Sequence, residues 1–386
     1  MKNDVLHCRT TKQSASLAVL FASSIAIFAQ HQDVKVLAQQ ADSALQSGSY
    51  EQAIADYQQV LKFEPDSAAA WSNLGSAWFA KGEFFKASRS YVHASQLQPA
   101  NTDYSFNAAL SLIRLDKCDD AEVYLQRSLQ STSYLKSGHY LAGLCAFVSD
   151  RWSKAEKELV SASDAGSHSA ETYYMLAIAA RKANDPAEAS RAYDLLRTNY
   201  PDSSFYHEIT GEALDRADQD EQAQRQIEMA IASDPRAPGL HAQLGLLQWK
   251  AHHLPEAEKS FKEELALDDR SYSSLHFLGD IAEKTNRPRE ALGWYKRSLQ
   301  VRPDSGESHF ALGRALAIEE HYQDALKELT DAQSLLPNDS SVHYWLARTL
   351  KSLGRKDRAN LELSKVREIL AAQRSAQLEK LGNGAQ

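Results

Sequence analysis

The sequence predicts an all-α fold of the α-solenoid class: a right-handed superhelix of antiparallel helix hairpins with a 34-residue period. Three observations predict it. Alanine recurs at one phase of the period, at Ala53, Ala87, Ala121, Ala155, Ala189, Ala223, Ala257, Ala291, Ala325 and Ala359. Twelve residues before each of them stands only glycine or alanine, from Ala41 and Gly75 to Gly313 and Ala347. Four residues after each stands a large apolar side chain, among them Tyr57, Leu125, Phe261 and Tyr295. A fixed period of this length is the mark of a repeat architecture, in which each unit buries its apolar face only against its neighbours.

Counted from Val34, ten units of 34 residues fill 34–373, with 1–33 ahead of them and 374–386 behind. In the leading segment Lys2, Arg9 and Lys12 precede an uncharged, mostly apolar stretch from Ala15 to Ala29. That order reads as a secretory signal peptide. The uncharged run 13–32 also suits an uncleaved N-terminal membrane anchor. Either way the chain is expected to be exported, to a bacterial periplasm, the cell exterior or a membrane surface. The formal net charge of −8 opposes non-specific binding to nucleic acid or anionic membrane.

Within a unit, two antiparallel helices approach closely only where side chains are small. Position 8 of the first helix is therefore expected to meet position 20 of the second, with the bulky residue at position 24 filling space toward the next unit. On this reading Ala189→Leu overpacks the contact and costs about 1–3 kcal/mol. Pro65, Pro99, Pro201, Pro235, Pro303 and Pro337 all fall at position 32, where the second helix must stop. Ser67, Ser203 and Ser305 follow three of them and supply caps for the next first helix. Pro186 and Pro288 stand at position 17, at the start of a second helix. No proline ends the last unit, whose second helix is expected to run on through Ile369 and Leu378 to Gly382 as a long capping helix.

The pattern resembles the tetratricopeptide repeat, most completely in the second unit with Trp71, Leu74, Gly75, Phe84, Ala87, Tyr91, Ala94 and Pro99. The resemblance covers 34–373, and departs most in the third and fourth units, where Ser133 and Ser167 stand in place of proline. It implies that first helices line a concave groove through positions 2, 5, 6, 9, 12 and 13. On those positions lie Phe106, Leu110, Ile113, Tyr140, Leu141, Leu144, Phe147, Tyr174, Met175 and Ile178. A contiguous apolar patch in a concavity suits a protein or peptide ligand. Internal packing, the chain's own tail or a second copy would fill it equally well. Asn73 and Asn107 share position 6 and resemble two rungs of the asparagine ladder with which relatives grip a peptide backbone. Farther along, Glu208, Glu212, Asp215, Asp280 and Glu283 are acidic, while Arg314, Arg348 and Lys351 are basic, a gradient that could orient a ligand. No unit pairs lysine at position 5 with asparagine at position 9, as chaperone-binding relatives do.

Histidine recurs at position 4 in His139, His207, His241, His309 and His343. Helices stacked about 8–10 Å apart cannot bring successive rungs to one ion, so these histidines are read as substitutes for the family's tryptophan. Cys118 and Cys145 either form one disulfide in an oxidising compartment or are two small buried apolar residues. No phosphate loop, nucleophile elbow or zinc-protease helix is present, and neither a metal, a cofactor nor catalysis is expected. The function expected is that of an exported, non-catalytic adaptor or scaffold holding a peptide or protein segment in its groove. The alternative is a structural component of a secretion, polysaccharide-export or pilus-assembly machine that bridges large partners.

Overall fold

A computed structural model describes residues 33–383, with side chains through 375. The segment 13–32, on which the signal or anchor expectation rests, and the last residues of the tail lie outside the described residues. All regular structure among the described residues is helical. The chain divides into two compact units, one ending at Asn199 and one beginning at Tyr200.

The N-terminal unit begins with α1, over 33–46. There follow α2 (Tyr50–Phe63), α3 (Ala68–Ala80), α4 (Phe84–Leu97), α5 (Thr102–Ile113) and α6 (Cys118–Ser128). After a 3₁₀ turn at Thr132–Tyr134 come α7 (Leu135–Val148), α8 (Trp152–Asp164), α9 (Ala170–Lys182) and α10 (Pro186–Asn199). The C-terminal unit holds α11 (Ser204–Arg216), α12 (Asp220–Ser233), α13 (Leu240–Lys250), α14 (Leu254–Leu267) and α15 (Tyr272–Lys284). It closes with α16 (Pro288–Val301), α17 (Gly306–Ile318), α18 (Tyr322–Leu335), α19 (Ser340–Ser352) and the 28-residue α20 (Lys356–Asn383). Helices pack in successive pairs, an α-solenoid whose odd-numbered members are the first helices of hairpins.

The boundaries obey local rules. Ser67, Ser203 and Ser305 each accept a hydrogen bond from an amide in the first turn of the helix they precede. Where proline is missing, the third unit ends in the 3₁₀ turn, capped by Ser131, and Ser169 caps α9. Each turn inside a hairpin holds one residue of left-handed backbone at position 15: Gly48, Gly82, Asp116, Asp150, Asn184, Asp218, His252, Asn286, Glu320 and Gly354. That conformation lets the amides just after a helix end reach its last carbonyls; Gly48 bonds to Leu45 and Ser49 to Ala44. The sequence shows the bias toward Gly, Asn and Asp at this phase, but it carries the turn without being needed to find the period.

The packing keeps the expected pairing of positions 8 and 20, as Ala41 with Ala53 and Ala109 with Ala121, and adds a closer partner. An added Cβ on Gly75, Gly143, Gly211, Gly245, Gly279 or Gly313 would lie 2.5–2.9 Å from the bulky position-24 residue of the same hairpin. Position 8 is small because a ring or branched chain at position 24 lies on it, while the position-20 alanine is buried beside them. The exception is Ala189. In α10 the buried residues are Ala192 and Leu196, and Ala189 is half-buried. The closest approaches, where overpacking would cost most, are at the position-8 glycines.

Position 24 also faces the first helix of the following hairpin. Phe261 packs with Leu278 and Ile281, Ile227 with Leu244 and Leu247, and Leu329 with Leu346 and Leu350. The interior of each unit is thus a row of layers, each shared by three helices. At roughly 25 cal/mol per Å² of apolar area buried, these shared layers are the main source of stability.

Candidate interaction surfaces on the first helices

In the N-terminal unit, α5 and α7 carry the apolar residues singled out from sequence. Phe106 stacks on Tyr134 at 4.3 Å between ring centroids, and the Tyr134 hydroxyl donates to Asp103 Oδ1 at 2.9 Å. Burial, with the Asp103 carboxylate, pushes the Tyr134 hydroxyl up to about 12. Burial and the Glu171 carboxylate likewise raise Tyr140. Phe147 meets Trp152 edge to face at 5.4 Å. Leu110, Tyr140, Leu144 and Phe147 are half-buried, each keeping surface that a ligand could cover.

Ile113 and Leu141 are equally half-buried, with one side packed against the buried cluster of Ala109, Leu112, Ala121 and Leu125. Other expected members of the patch are interior. Met175 is 4% exposed and Ile178 7%, so neither lines an open surface; they belong to the packing alternative. Tyr174 is half-buried. Of the two asparagines, Asn73 donates to Asp42 Oδ1 at 3.1 Å, and the same carboxylate accepts from the Tyr57 hydroxyl at 2.5 Å. Asn73 is thereby occupied within the protein. The half-buried Asn107 makes no side-chain hydrogen bond among the described residues and could present its amide to a peptide.

Cys118 and Cys145 form a disulfide with Cα atoms 5.3 Å apart, which decides between the two readings left open by the sequence. It ties the start of α6 to α7, across the boundary where no proline stands. Beside it, Arg151 and Lys154 converge on Glu122, whose carboxyl they hold below its ordinary range.

In the C-terminal unit the same helix face is charged, and from Asp215 to Arg314 its charges are largely paired, while Arg348 and Lys351 form no ion pair among the described residues. Lys250 meets Asp215 at 2.6 Å, Lys284 meets Asp280 at 2.8 Å and Arg314 meets Glu283 at 2.9 Å. Trp249 Nε1 donates to Asp280 at 2.6 Å, and the Tyr295 hydroxyl donates to Glu283 at 3.1 Å. The acidic part of the expected gradient is therefore largely neutralised from within, and Arg314 is half-buried in a pair. Arg348 differs: it is exposed and lies over the Trp345 ring at 4.7 Å. A recurrent geometry emerges, in which position 12 of one hairpin reaches position 9 of the next, as Trp249 reaches Asp280 and Glu283 reaches Arg314.

Two of the position-4 histidines, His309 and His343, do stand in for tryptophan. Trp71 Nε1 donates to the Pro65 carbonyl at 2.7 Å, and the Nε2 atoms of His309 and His343 lie 2.9 and 3.0 Å from the carbonyls of Pro303 and Pro337. Imidazole adds a second link: Nδ1 of His139, His309 and His343 lies 2.6–2.7 Å from a position-23 glutamate of its own hairpin. His309, Glu328 and Asp331 come within 4.8 Å of one another. Both nitrogens of His309 are already engaged by protein acceptors, so the cluster reads as hairpin glue.

This arrangement of paired helices, small residues under bulky ones and proline carbonyls bonded to a position-4 ring defines a helical-repeat protein of the interaction-scaffold class. Models of the tetratricopeptide repeat match residues 41–82, 171–203, 242–308 and 278–340. Over those residues the chain carries tetratricopeptide repeats, and its helices pack in tandem pairs consistent with a tetratricopeptide repeat protein. Among curated proteins it is similar to Superkiller complex protein 3 of mouse, 35% identical over 65 residues, and of human, 32% identical over 82 residues. Those matches span 17% and 21% of this chain but only 4% and 5% of the relatives. Among solved structures, PilF of Pseudomonas aeruginosa aligns at 18% identity and a TM-score of 0.49 over 56% of this chain and 99% of its own. YrrB, a tetratricopeptide protein with an unusual peptide-binding site, aligns at 19% identity and a TM-score of 0.41, over 49% and 97%. MamA of Desulfovibrio magneticus RS-1 aligns at 18% identity and 0.41, over 44% and 96%.

Proposed function

We propose that the chain is an exported, non-catalytic adaptor that holds a peptide or extended protein segment against the first-helix face of its N-terminal unit. The observation that carries this reading is the run of half-buried apolar side chains on α5 and α7, with the Asn107 amide beside it. Rigid aromatic and aliphatic groups on consecutive helices supply anchors of the kind that dominate protein interfaces. An unoccupied amide adds a donor and an acceptor for a peptide unit. The Cys118–Cys145 disulfide supports export, because such bonds persist in oxidising compartments. The net charge of −8 supports a protein ligand over nucleic acid.

The test is a variant with Tyr140, Leu144 and Tyr174 all replaced by aspartate, checked for retained helicity by circular dichroism. Crosslinked partners from the native source should be lost. An unchanged set of partners in a folded variant sinks the proposal. Determining the N-terminal residue of the native protein tests export separately: a mature chain beginning near Gln30 supports it, and an intact, unanchored Met1 overturns it.

A further inference from the structure

Every hairpin inside the C-terminal unit receives the first helix of the next one in the same seat. The floor of the seat is the alanine at position 20 and the bulky residue at position 24. Into it drop two apolar residues three or four apart: Leu244 and Leu247, Leu278 and Ile281, Leu346 and Leu350. Covered in this way, Ile227, Phe261, Tyr295 and Leu329 are 0–1% exposed.

The hairpin of α19 and α20 repeats the seat, and no described residue covers it. Ala359 and Leu363 stand at positions 20 and 24 of α20, and Leu363 is 39% exposed. With Tyr344, 47% exposed, they line a cleft of about 460 Å³ between α19 and α20. Its remaining wall is cationic: Arg348, Lys351 and Lys356. None of these three makes an ion pair among the described residues, whereas the first-helix cations Lys250, Lys284 and Arg314 of the same unit all do.

We propose that this seat receives one amphipathic helix of another protein, with apolar residues at i and i+3 and a carboxylate at i+2. The internal layers specify the helix. In α15 the anchors are Leu278 and Ile281, and Asp280 between them reaches position 12 of the preceding hairpin. At this seat position 12 is Lys351, so a carboxylate in that register supplies the partner that Lys351 lacks among the described residues. Arg348 and Lys356 flank it with further positive charge, which favours an acidic helix and disfavours a basic one. This surface is distinct from the α5–α7 face, and its test does not depend on that reading.

The chain itself supplies the probe: a fluorescent, helix-stapled peptide with the sequence of α15, Tyr272–Lys284. Fluorescence anisotropy against the full chain should show saturable binding. Leu363→Asp and Lys351→Glu, both at exposed positions, should each weaken it by about tenfold or more. A peptide carrying Asp280→Lys should bind the wild-type chain poorly and recover affinity for Lys351→Glu. No saturable binding, or equal binding by the variants, overturns the proposal. So does concentration-dependent dimerisation of the chain alone that Leu363→Asp abolishes, since the seat would then belong to a second copy.

Discussion

At position 9 the N-terminal unit places Leu110 and Leu144, and at the same position the C-terminal unit places Glu212, Asp280 and Arg314. The backbone beneath is the same hairpin, with a left-handed turn residue and a small residue under a bulky one. The difference lies in what the first helices do with their outward positions. In one unit they retain half-buried apolar surface; in the other, as far as Arg314, they pair charge with charge. Scaffold and surface are therefore encoded at separate phases of one period, and either can vary without the other.

The comparison can be broken most forcefully at the disulfide. Cys118 and Cys145 are separated by 27 residues, and in the chain-entropy account opening a loop of that size costs about 3–4 kcal/mol. Reduction should lower the calorimetric transition of the N-terminal unit and leave that of the C-terminal unit in place. A uniform shift would mean that the two unfold as one. Next in size is Gly279→Ala, whose new Cβ would sit 2.5 Å from the fully buried Tyr295 ring. We expect a loss of about 1–3 kcal/mol by thermal denaturation. Gly143→Ala, whose Cβ would meet Cγ of the fully buried Leu159 at 2.7 Å and its backbone nitrogen at 3.3 Å, should destabilise the N-terminal unit by a comparable amount.

A smaller effect separates the turns. Glu320 is exposed and has a left-handed backbone with φ of 63°, where Gly354 stands in the next hairpin. Glu320→Gly should stabilise the C-terminal unit by about 1 kcal/mol, since a side chain in that conformation costs about 1–2 kcal/mol. No gain would show that Glu320 is compensated locally.

The subtlest contrast is in the seams between hairpins, where position 21 faces position 16 of the next. In the C-terminal unit this pair is Glu258 with Arg287 at 2.6 Å; Arg287, aided by Lys262, holds the Glu258 carboxyl down to about 2. In the N-terminal unit Glu122 with Arg151 repeats that pairing, but the next seam sets Glu156 against Asp185, and burial together with Asp185 raises Glu156. The signs oppose. Glu258 contributes fully above the unfolded value of about 4.3, and its contribution fades as pH falls toward 2. Glu156 fits best when protonated, so its seam weakens as pH rises through the elevated value. Glu258→Gln should thus lower the melting temperature at neutral pH and matter less in acid, while Glu156→Gln should raise it at neutral pH. Matching responses would erase the distinction.

The period itself was legible because steric rules leave few choices: the position-20 alanines, the position-8 glycines and the position-32 prolines each answer a geometric demand that few residues can meet. Which bulky side chain lies on the small one was not legible. Composition shows that Gly279 is small, but only coordinates show that Tyr295, sixteen residues on, lies over it. The surface was read less well for a related reason. Ile178 and Leu110 occupy groove positions by arithmetic, yet one is interior and the other keeps open surface, because exposure depends on side chains one period away. The same holds for Asn73 and Asn107, equal in sequence and separated by the presence of Asp42.

Within each unit no helix makes extensive contact beyond the adjoining hairpin. Such a chain behaves as a row of coupled links, its cooperativity set by nearest neighbours. Excising one whole period from the interior of a unit, such as 272–305, would rejoin equivalent surfaces and leave a shorter array still able to fold. Removing any other length would misphase every layer downstream. The length of the protein is in that sense quantised, and evolution can lengthen or shorten it by unequal crossing-over without redesigning a core.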